Sequence, residues 1–254
     1  MASFLEMEGI CMKCLILAAG YATRLYPLTE NFPKPLLKVG DKTILDWLLD
    51  DIDLSGEVSE YVVISNHKFA HYFEDWAKTK QQKITVVDDG TSTNETRLGA
   101  VKDVQFAIEK LSLNDDILLI AGDNVLDFSL CKFIDYAKAK NTSSVMRYFE
   151  PVKAKLQKCG VLTLEGDLIT DMAEKPENPA TNWCCPPFYF YKANDLRINE
   201  AIADGCGFDA PGSYVAWLCK NAEVNAMEMP GSRYDIGNLE SYEKVKSEYK
   251  GITK

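Results

Sequence analysis

The feature that most constrains this chain is an alternation of short apolar runs with longer stretches whose apolar residues recur at helical spacing. Lys13 to Ala18 (KCLILA), Tyr61 to Ser65 (YVVIS), Ile84 to Val87 (ITVV) and Ile117 to Ala121 (ILLIA) are too short for helices and nearly free of polar side chains. Such runs read as strands covered on both faces. Between them, Thr43 to Leu54 carries Ile44, Leu45, Leu48, Leu49 and Ile52 on one helical face. Phe69 to Lys80 repeats the pattern with Phe69, Phe73, Trp76 and Ala77, and Leu98 to Leu111 with Val101, Val104, Ala107, Ile108 and Leu111. Strand and helix in alternation predict an α/β fold: a mostly parallel sheet with helices on both faces.

The pattern changes near residue 142. Ser143 to Phe149, Cys159 to Leu164 and Leu168 to Met172 read as shorter strands, with a turn at Glu165-Gly166-Asp167. Cys185 to Tyr191 reads as one further strand, weakened by Pro186 and Pro187. Helices near Asn194 to Ala203 and Gly212 to Cys219, a strand at Glu223 to Met227 and a helix from Leu239 to Tyr249 follow. No internal repeat or low-complexity linker divides the 254 residues. The expectation is therefore one domain over 12–250, in which 143–250 completes a site opened by 12–142, with 1–11 a tail.

The formal net charge is -10, which argues against nucleic acid or an anionic membrane as the main partner. No apolar run approaches the roughly 18 residues that span a bilayer, and the first residues lack the basic start and apolar core of a signal peptide. A cytoplasmic location is expected. Of the eight cysteines, Cys11 and Cys14 form a CxxC, and Cys184 and Cys185 are adjacent. A zinc site is one reading; reduced, mostly buried thiols are the favoured one, and a disulfide framework is not expected.

In an open parallel sheet, ligands bind beyond the carboxyl ends of the strands. The first strand runs into Ala18-Ala19-Gly20-Tyr21-Ala22-Thr23-Arg24, where small residues let backbone N–H groups approach phosphate oxygens. Arg24 adds a bidentate cation, and Lys34 a second one on the stiff Pro33-Lys34-Pro35 backbone. The loop from Leu15 to Leu37 thus reads as a triphosphate holder, although neither GxxxxGK[ST] nor GxGxxG is present there. The strand at 117–121 ends in Gly122-Asp123, a placement suited to Mg²⁺ or to a plain turn. Lys175 precedes Pro176 at another strand end, and Asp235 precedes the last helix as a cap or a second metal ligand. Only His67 and His71 exist, and both are assigned surface or helix-start roles.

Taken together, LILAAGYATRLYPLTENFPKPLL and the later AGDN, EKP and YDIG resemble the sugar-phosphate nucleotidyltransferases, also called nucleotide-sugar pyrophosphorylases. The resemblance implies a Rossmann-like, GT-A-like sheet with substrate-binding elements inserted from the second half. It implies that an NTP and a phosphorylated acceptor give an NDP-linked product and pyrophosphate, with Mg²⁺ as cofactor. Ala19 and Gly20 would then touch the nucleotide through backbone. Arg24 would grip the β- and γ-phosphates, and Lys34 would stabilise charge at the α-phosphate. Asp123 and Asp235 would hold Mg²⁺, Lys175 the acceptor's phosphate, and Glu174 and Gly160 its body. Gly99 would meet the base, while the half 12–142 would bind the nucleotide and 143–250 the acceptor; Asn94, on its own chemistry, reads either as an amide for a pyrimidine edge or as a plain loop turn. No general base is required, because a phosphate monoester is already anionic at neutral pH.

UTP or dTTP with a sugar-1-phosphate is the favoured substrate pair. Asn182 to Pro187 departs from the family's sugar-contact segment; Trp183, Phe188 and Tyr189 read either as pocket-lining aromatic faces or, for at least two of the three, as core packing. A CTP-dependent enzyme acting on phosphocholine or another small phosphorylated alcohol is therefore the alternative. A non-catalytic nucleotide-binding module is a third reading. The oligomeric state stays open, a homo-oligomer included.

Overall fold

A computed structural model of the chain describes residues 12–253; the tail at 1–11, with Cys11, lies outside them. The first half comprises β1 (Met12–Leu17), the two-residue β2 (Lys38–Val39) and β3 (Lys42–Thr43), α1 (Ile44–Asp53), β4 (Val58–Ser65), α2 (Ala70–Ala77), β5 (Ile84–Asp88), α3 (Ala100–Leu111) and β6 (Ile117–Ala121). The second comprises β7 (Asn124–Leu126), α4 (Cys131–Lys140), β8 (Ser143–Phe149), α5 (Lys153–Leu156), β9 (Gly160–Glu165), β10 (Leu168–Glu174), β11 (Trp183–Cys185) and β12 (Phe188–Tyr191). It ends with α6 (Ile198–Ala203), α7 (Gly212–Leu218), β13 (Val224–Glu228), β14 (Arg233–Asp235) and α8 (Leu239–Glu248). No helix among the described residues is long and apolar enough to cross a membrane.

Ten strands form one sheet in the order β11-β9-β10-β13-β8-β12-β6-β1-β4-β5. The strands β5, β4, β1 and β6 are parallel, with Leu15 opposite Val62 on one side and Leu119 on the other. This is the sheet that the apolar runs predict. β12 then joins the halves, antiparallel to β6 and to β8, and apart from the parallel β8–β13 pair the second half is antiparallel.

Side chains alternate across each strand, so the sheet builds two cores. Cys14 and Ile16 face α1, α2 and α4, where Leu48, Phe73, Trp76 and Phe133 are buried. Leu15 faces α3, α6 and α7, with Val104, Ala201 and Val215. Residues such as Leu15 and Ile16, fully buried, each contribute roughly 1.5–3 kcal/mol from transfer alone. α1 starts where Thr43 accepts the Asp46 N–H at 3.0 Å and the Asp46 carboxylate accepts the Thr43 N–H at 3.2 Å, a reciprocal cap. A third cluster packs Leu25, Leu37 and Val39 against Val125, Ile236 and Tyr242. That contact seats the end of the loop from Leu15 to Leu37 against the β7–β14 ribbon and so positions the site.

Three expectations need correction. The strand read over 185–191 is two strands, because Pro186 and Pro187 have no N–H to give a ladder. The segment 127–142, left without an element, contains α4, which buries Phe133, Ile134 and Ala137. The cysteines are not all free: Cys159 and Cys184 form a disulfide with Cα atoms 6.1 Å apart. The cause is register, since the β11–β9 pairing sets Cys184 opposite Val161, beside Cys159. Cys14, Cys131, Cys185, Cys206 and Cys219 are free thiols, and the described residues contain no cluster of three or more His, Cys, Asp or Glu arranged to hold a metal.

Candidate active site

The tips of β1 and β6 open into a cleft of about 560 Å³ that the second half closes from the far side. After β1, Ala18 and Ala19 are buried, and the amide of the fully buried Asn66 donates to the Ala19 carbonyl at 2.8 Å. Gly20 has open space where a Cβ would stand, so its backbone is reachable from the cleft. The chain then turns at Ala22, which adopts a left-handed φ of 46°. The Thr29 hydroxyl donates to the Ala22 carbonyl at 2.8 Å and holds that turn. Arg24 follows, exposed on the cleft wall. Lys34, flanked by two prolines, is 7 % exposed, and its Nζ lies 2.9 Å from Asp123 Oδ2.

Asp123 follows β6 directly. Its neighbour Asn124 begins β7, which pairs antiparallel with β14 so that Asn124 stands opposite Asp235. The ribbon thereby brings both acids to one end of the cleft. Asp235 makes no side-chain hydrogen bond or ion pair among the described residues, and it lines the cleft. A partner-free carboxylate next to one already oriented by a lysine is a hard-oxygen donor pair. It fits Mg²⁺, which takes one or two carboxylates and completes its shell with water and phosphate oxygens.

The opposite wall comes from β9, β10 and the turn after it. Glu174 ends β10 with its carboxylate over two glycines: a Cβ on Gly160 would stand 3.0 Å from Glu174 Oε2, and one on Gly212 2.3 Å. Burial raises the Glu174 pKa, and the adjacent Lys175 partly offsets this. Lys175 has a left-handed φ of 49°, and its N–H donates to the Cys159 carbonyl at 3.0 Å. Non-glycine residues in that region concentrate where a site over-determines the backbone. Arg24, Lys158 and Lys175 all line the cleft without a side-chain hydrogen bond or ion pair among the described residues. Three such cations in one concave surface give it a chemistry suited to a polyanion.

The cleft gathers Ala19, Gly20, Arg24, Lys34, Gly99, Asp123, Gly160, Glu174, Lys175 and Asp235, all selected from sequence. Asn94 is the exception. It sits half-buried in a turn closed by Thr93 and Thr96, and its carbonyl accepts from Arg97 Nη1 at 3.0 Å. Arg97, 2.9 Å from Asp209, lines the cleft in its place. Of the aromatic trio, only Tyr189 reaches the cleft; Phe188 is buried in the core, and Trp183 packs edge-on against Phe149.

Sequence reasoning also missed Asp103, Tyr148, Lys158, Gly212 and Arg233, all on the wall. Lys158, two residues before Gly160, was the most legible of them. Asp103 is 7 % exposed and lies one helical turn beyond Gly99. Burial first, and then the neighbouring Asp89, push its pKa up to about 7. Burial raises Asp89 as well. Asp103 Oδ1, Asp89 Oδ2, Thr91 Oγ1 and the Tyr21 hydroxyl are sealed from solvent without a well-aligned hydrogen bond.

Comparison with known proteins places this geometry in a family. The family model described as nucleotidyl transferase matches residues 13–251. The chain is 28 % identical over 232 residues to the bifunctional protein GlmU of Methanocaldococcus jannaschii, covering 89 % of this chain and 51 % of that protein. It is 26 % identical over 241 residues to a UTP–glucose-1-phosphate uridylyltransferase of Haloferax volcanii, covering 89 % and 91 %. The chain spans 51–63 % of the length of the first three curated relatives it matches. A crystal structure of UDP-glucose pyrophosphorylase complexed with UDP-glucose shares the fold, with a TM-score of 0.78, 21 % identity, and coverage of 94 % and 98 %. The match over nearly every described residue means that this chain belongs to the nucleotidyl transferase family.

Proposed function

We propose that the chain transfers a nucleotidyl group from an NTP, UTP or dTTP by preference, to a sugar-1-phosphate with release of pyrophosphate. The observation that carries this reading is the meeting, in one cleft, of three cations without an ion pair among the described residues with two carboxylates, Asp123 just before β7 and Asp235 on the paired β14. The uridylyltransferase relative, matched over 91 % of its own length, supports the choice of donor.

The acceptor's phosphate oxygen attacks the α-phosphorus in line, and pyrophosphate leaves. The obstacle is repulsion between two polyanions, so catalysis is positioning and charge neutralisation. Arg24 binds the departing β- and γ-phosphates. Lys34, rigid and nearly dry beside Asp123, meets charge developing at the α-phosphate. Lys175 receives the acceptor's phosphate, and Glu174 the hydroxyls of its body. Ala19, Gly20 and Gly99 frame the nucleoside by backbone. Asp123 and Asp235 are the residues that would hold Mg²⁺, which when bound would supply charge neutralisation to the phosphates.

The CTP and phosphocholine reading finds no support in the cleft, because two of its three aromatics face elsewhere. The test is a matrix of UTP, dTTP, GTP, ATP and CTP against sugar-1-phosphates and phosphocholine with Mg²⁺, scored by pyrophosphate release and by chromatography of the product. UTP or dTTP with a hexose-1-phosphate is expected to react. Release from no pair, in protein with an intact unfolding transition, would refute catalysis.

A further inference from the structure

Asp123 is oriented by more than Lys34. Asn124, fully buried, donates from Nδ2 to Asp123 Oδ1 at 2.6 Å. Its other amide atom, Oδ1, accepts from Arg233 Nη1 at 2.7 Å. The four residues form one chain, Arg233 to Asn124 to Asp123, with Lys34 closing the far oxygen at 2.9 Å. We propose that Arg233 is a positioning residue for Asp123, acting through the side-chain amide of Asn124. The proposal rests on the reading that Asp123 holds the divalent cation.

The argument is one of hydrogen-bond polarity. A guanidinium only donates, and an ionised carboxylate only accepts. An amide between them has one favourable sense: carbonyl toward Arg233, N–H toward Asp123. The flipped amide sets donor against donor and acceptor against acceptor. Because Asn124 is sealed from water, nothing else satisfies it in that orientation, and a buried polar group left unpaired costs about 1–3 kcal/mol. With Asn124 fixed, each Asp123 oxygen receives one donor from the protein and keeps a lone pair for a cation.

Arg233 has the placement for this role. It lies two residues before Asp235 on β14, so both side chains project from one face of the ribbon. Its guanidinium also sits 5.9 Å from the centre of the Tyr148 ring, which fixes it from the other side. One three-residue strand therefore carries an acid and the group that aims the opposing acid.

The test compares wild type with Arg233→Met, Arg233→Lys, Asn124→Ala and the Met/Ala double variant. Mn²⁺ alone is titrated and followed by the spin-resonance signal of the free ion, and the Mg²⁺ concentration for half-maximal pyrophosphate release is measured in parallel. Loss of such an outer partner weakens metal binding by about 10–100-fold. Arg233→Met is expected to weaken Mn²⁺ by about tenfold or more, whereas Arg233→Lys, which still donates to Asn124 Oδ1, keeps most of the affinity. The double variant is expected to bind no more weakly than the worse single one, because the two residues act in series. Arg233 is half-exposed, so its replacement spares the core even if Asn124→Ala fails to fold. Unchanged Mn²⁺ affinity in Arg233→Met overturns the proposal, as does a rise in the acceptor's KM alone or multiplicative losses in the double variant. A wild-type protein that neither binds Mn²⁺ nor turns over would instead fail the underlying reading of Asp123.

Discussion

Replacing Asp103 by asparagine changes one oxygen for an amide nitrogen and removes a titration. Asp103 is 7 % exposed and keeps its proton up to about pH 7, against an ordinary value of 3.8. The folded protein therefore binds more protons than the unfolded chain between those values. Stability from this group is greatest at low pH and is lost as pH rises toward 7. At about 1.4 kcal/mol per pH unit, the two units between pH 5 and pH 7 amount to roughly 3 kcal/mol. The asparagine side chain carries no charge at either pH and has an N–H to offer Asp89, so Asp103→Asn escapes this loss. Its advantage over wild type should grow by roughly 3 kcal/mol between pH 5 and pH 8, or about 6–12 °C in Tm for a chain of this size. Groups other than Asp89 titrate in both proteins and cancel. The repulsion from Asp89 is already contained in the raised Asp103 value. Urea or thermal unfolding of both proteins at the two pH values measures the difference. An advantage equal at both values would refute the buried, proton-holding Asp103.

Other expectations concern the cleft directly. Lys34→Gln, which keeps a donor but removes the charge beside Asp123, should lower kcat by about 10²–10³-fold with an unaltered circular dichroism spectrum; a loss below tenfold would remove Lys34 from the reaction. Gly99→Ala places a Cβ 2.5 Å from the Phe208 carbonyl at a φ of 93°, and should cost about 2 kcal/mol or more in urea unfolding; a wild-type midpoint contradicts the close approach. Ala22→Gly relieves the left-handed φ of 46° and should raise stability by about 0.5–1 kcal/mol, while Ala22→Val should lower it by more than that. Thermal melts that rank the two the other way dispose of the turn's strain.

The parallel half of the sheet was legible because its strands carry continuous apolar runs, buried on both faces in most of β1 and β6 and from Tyr61 to Ser65 of β4. Local chemistry was equally plain at Arg24 and Lys34, which sit in one continuous loop. What stayed hidden depends on pairing across long separations. The hydrogen bond from Arg233 to Asn124 joins residues 109 apart, and β7 and β14, at three residues each, have no periodicity to read. Cys159 and Cys184 are 25 residues apart and meet only once β11 has found its register on β9. Asn94 was chosen for its amide, yet the turn around it is held by Thr96 and Arg97 and lies off the cleft wall. Asp103 reads as an ordinary polar position in a helix, and only the fold reveals that Asp89 lies against it.

The β7–β14 ribbon also governs when the protein becomes competent. Ribosomal synthesis delivers Arg24, Lys34 and Asp123 early, and the parallel strands that hold them can pair as soon as they appear. Asp235 and Arg233 arrive more than a hundred residues later, some seconds on at about 5–20 residues per second. Until then a nascent chain has Asp123 beside Lys34 but lacks the opposing acid and the guanidinium that holds Asn124. A stalled or clipped product ending before β14 lacks Asp235 and Arg233, and with them half of the acid pair on which the proposed function depends.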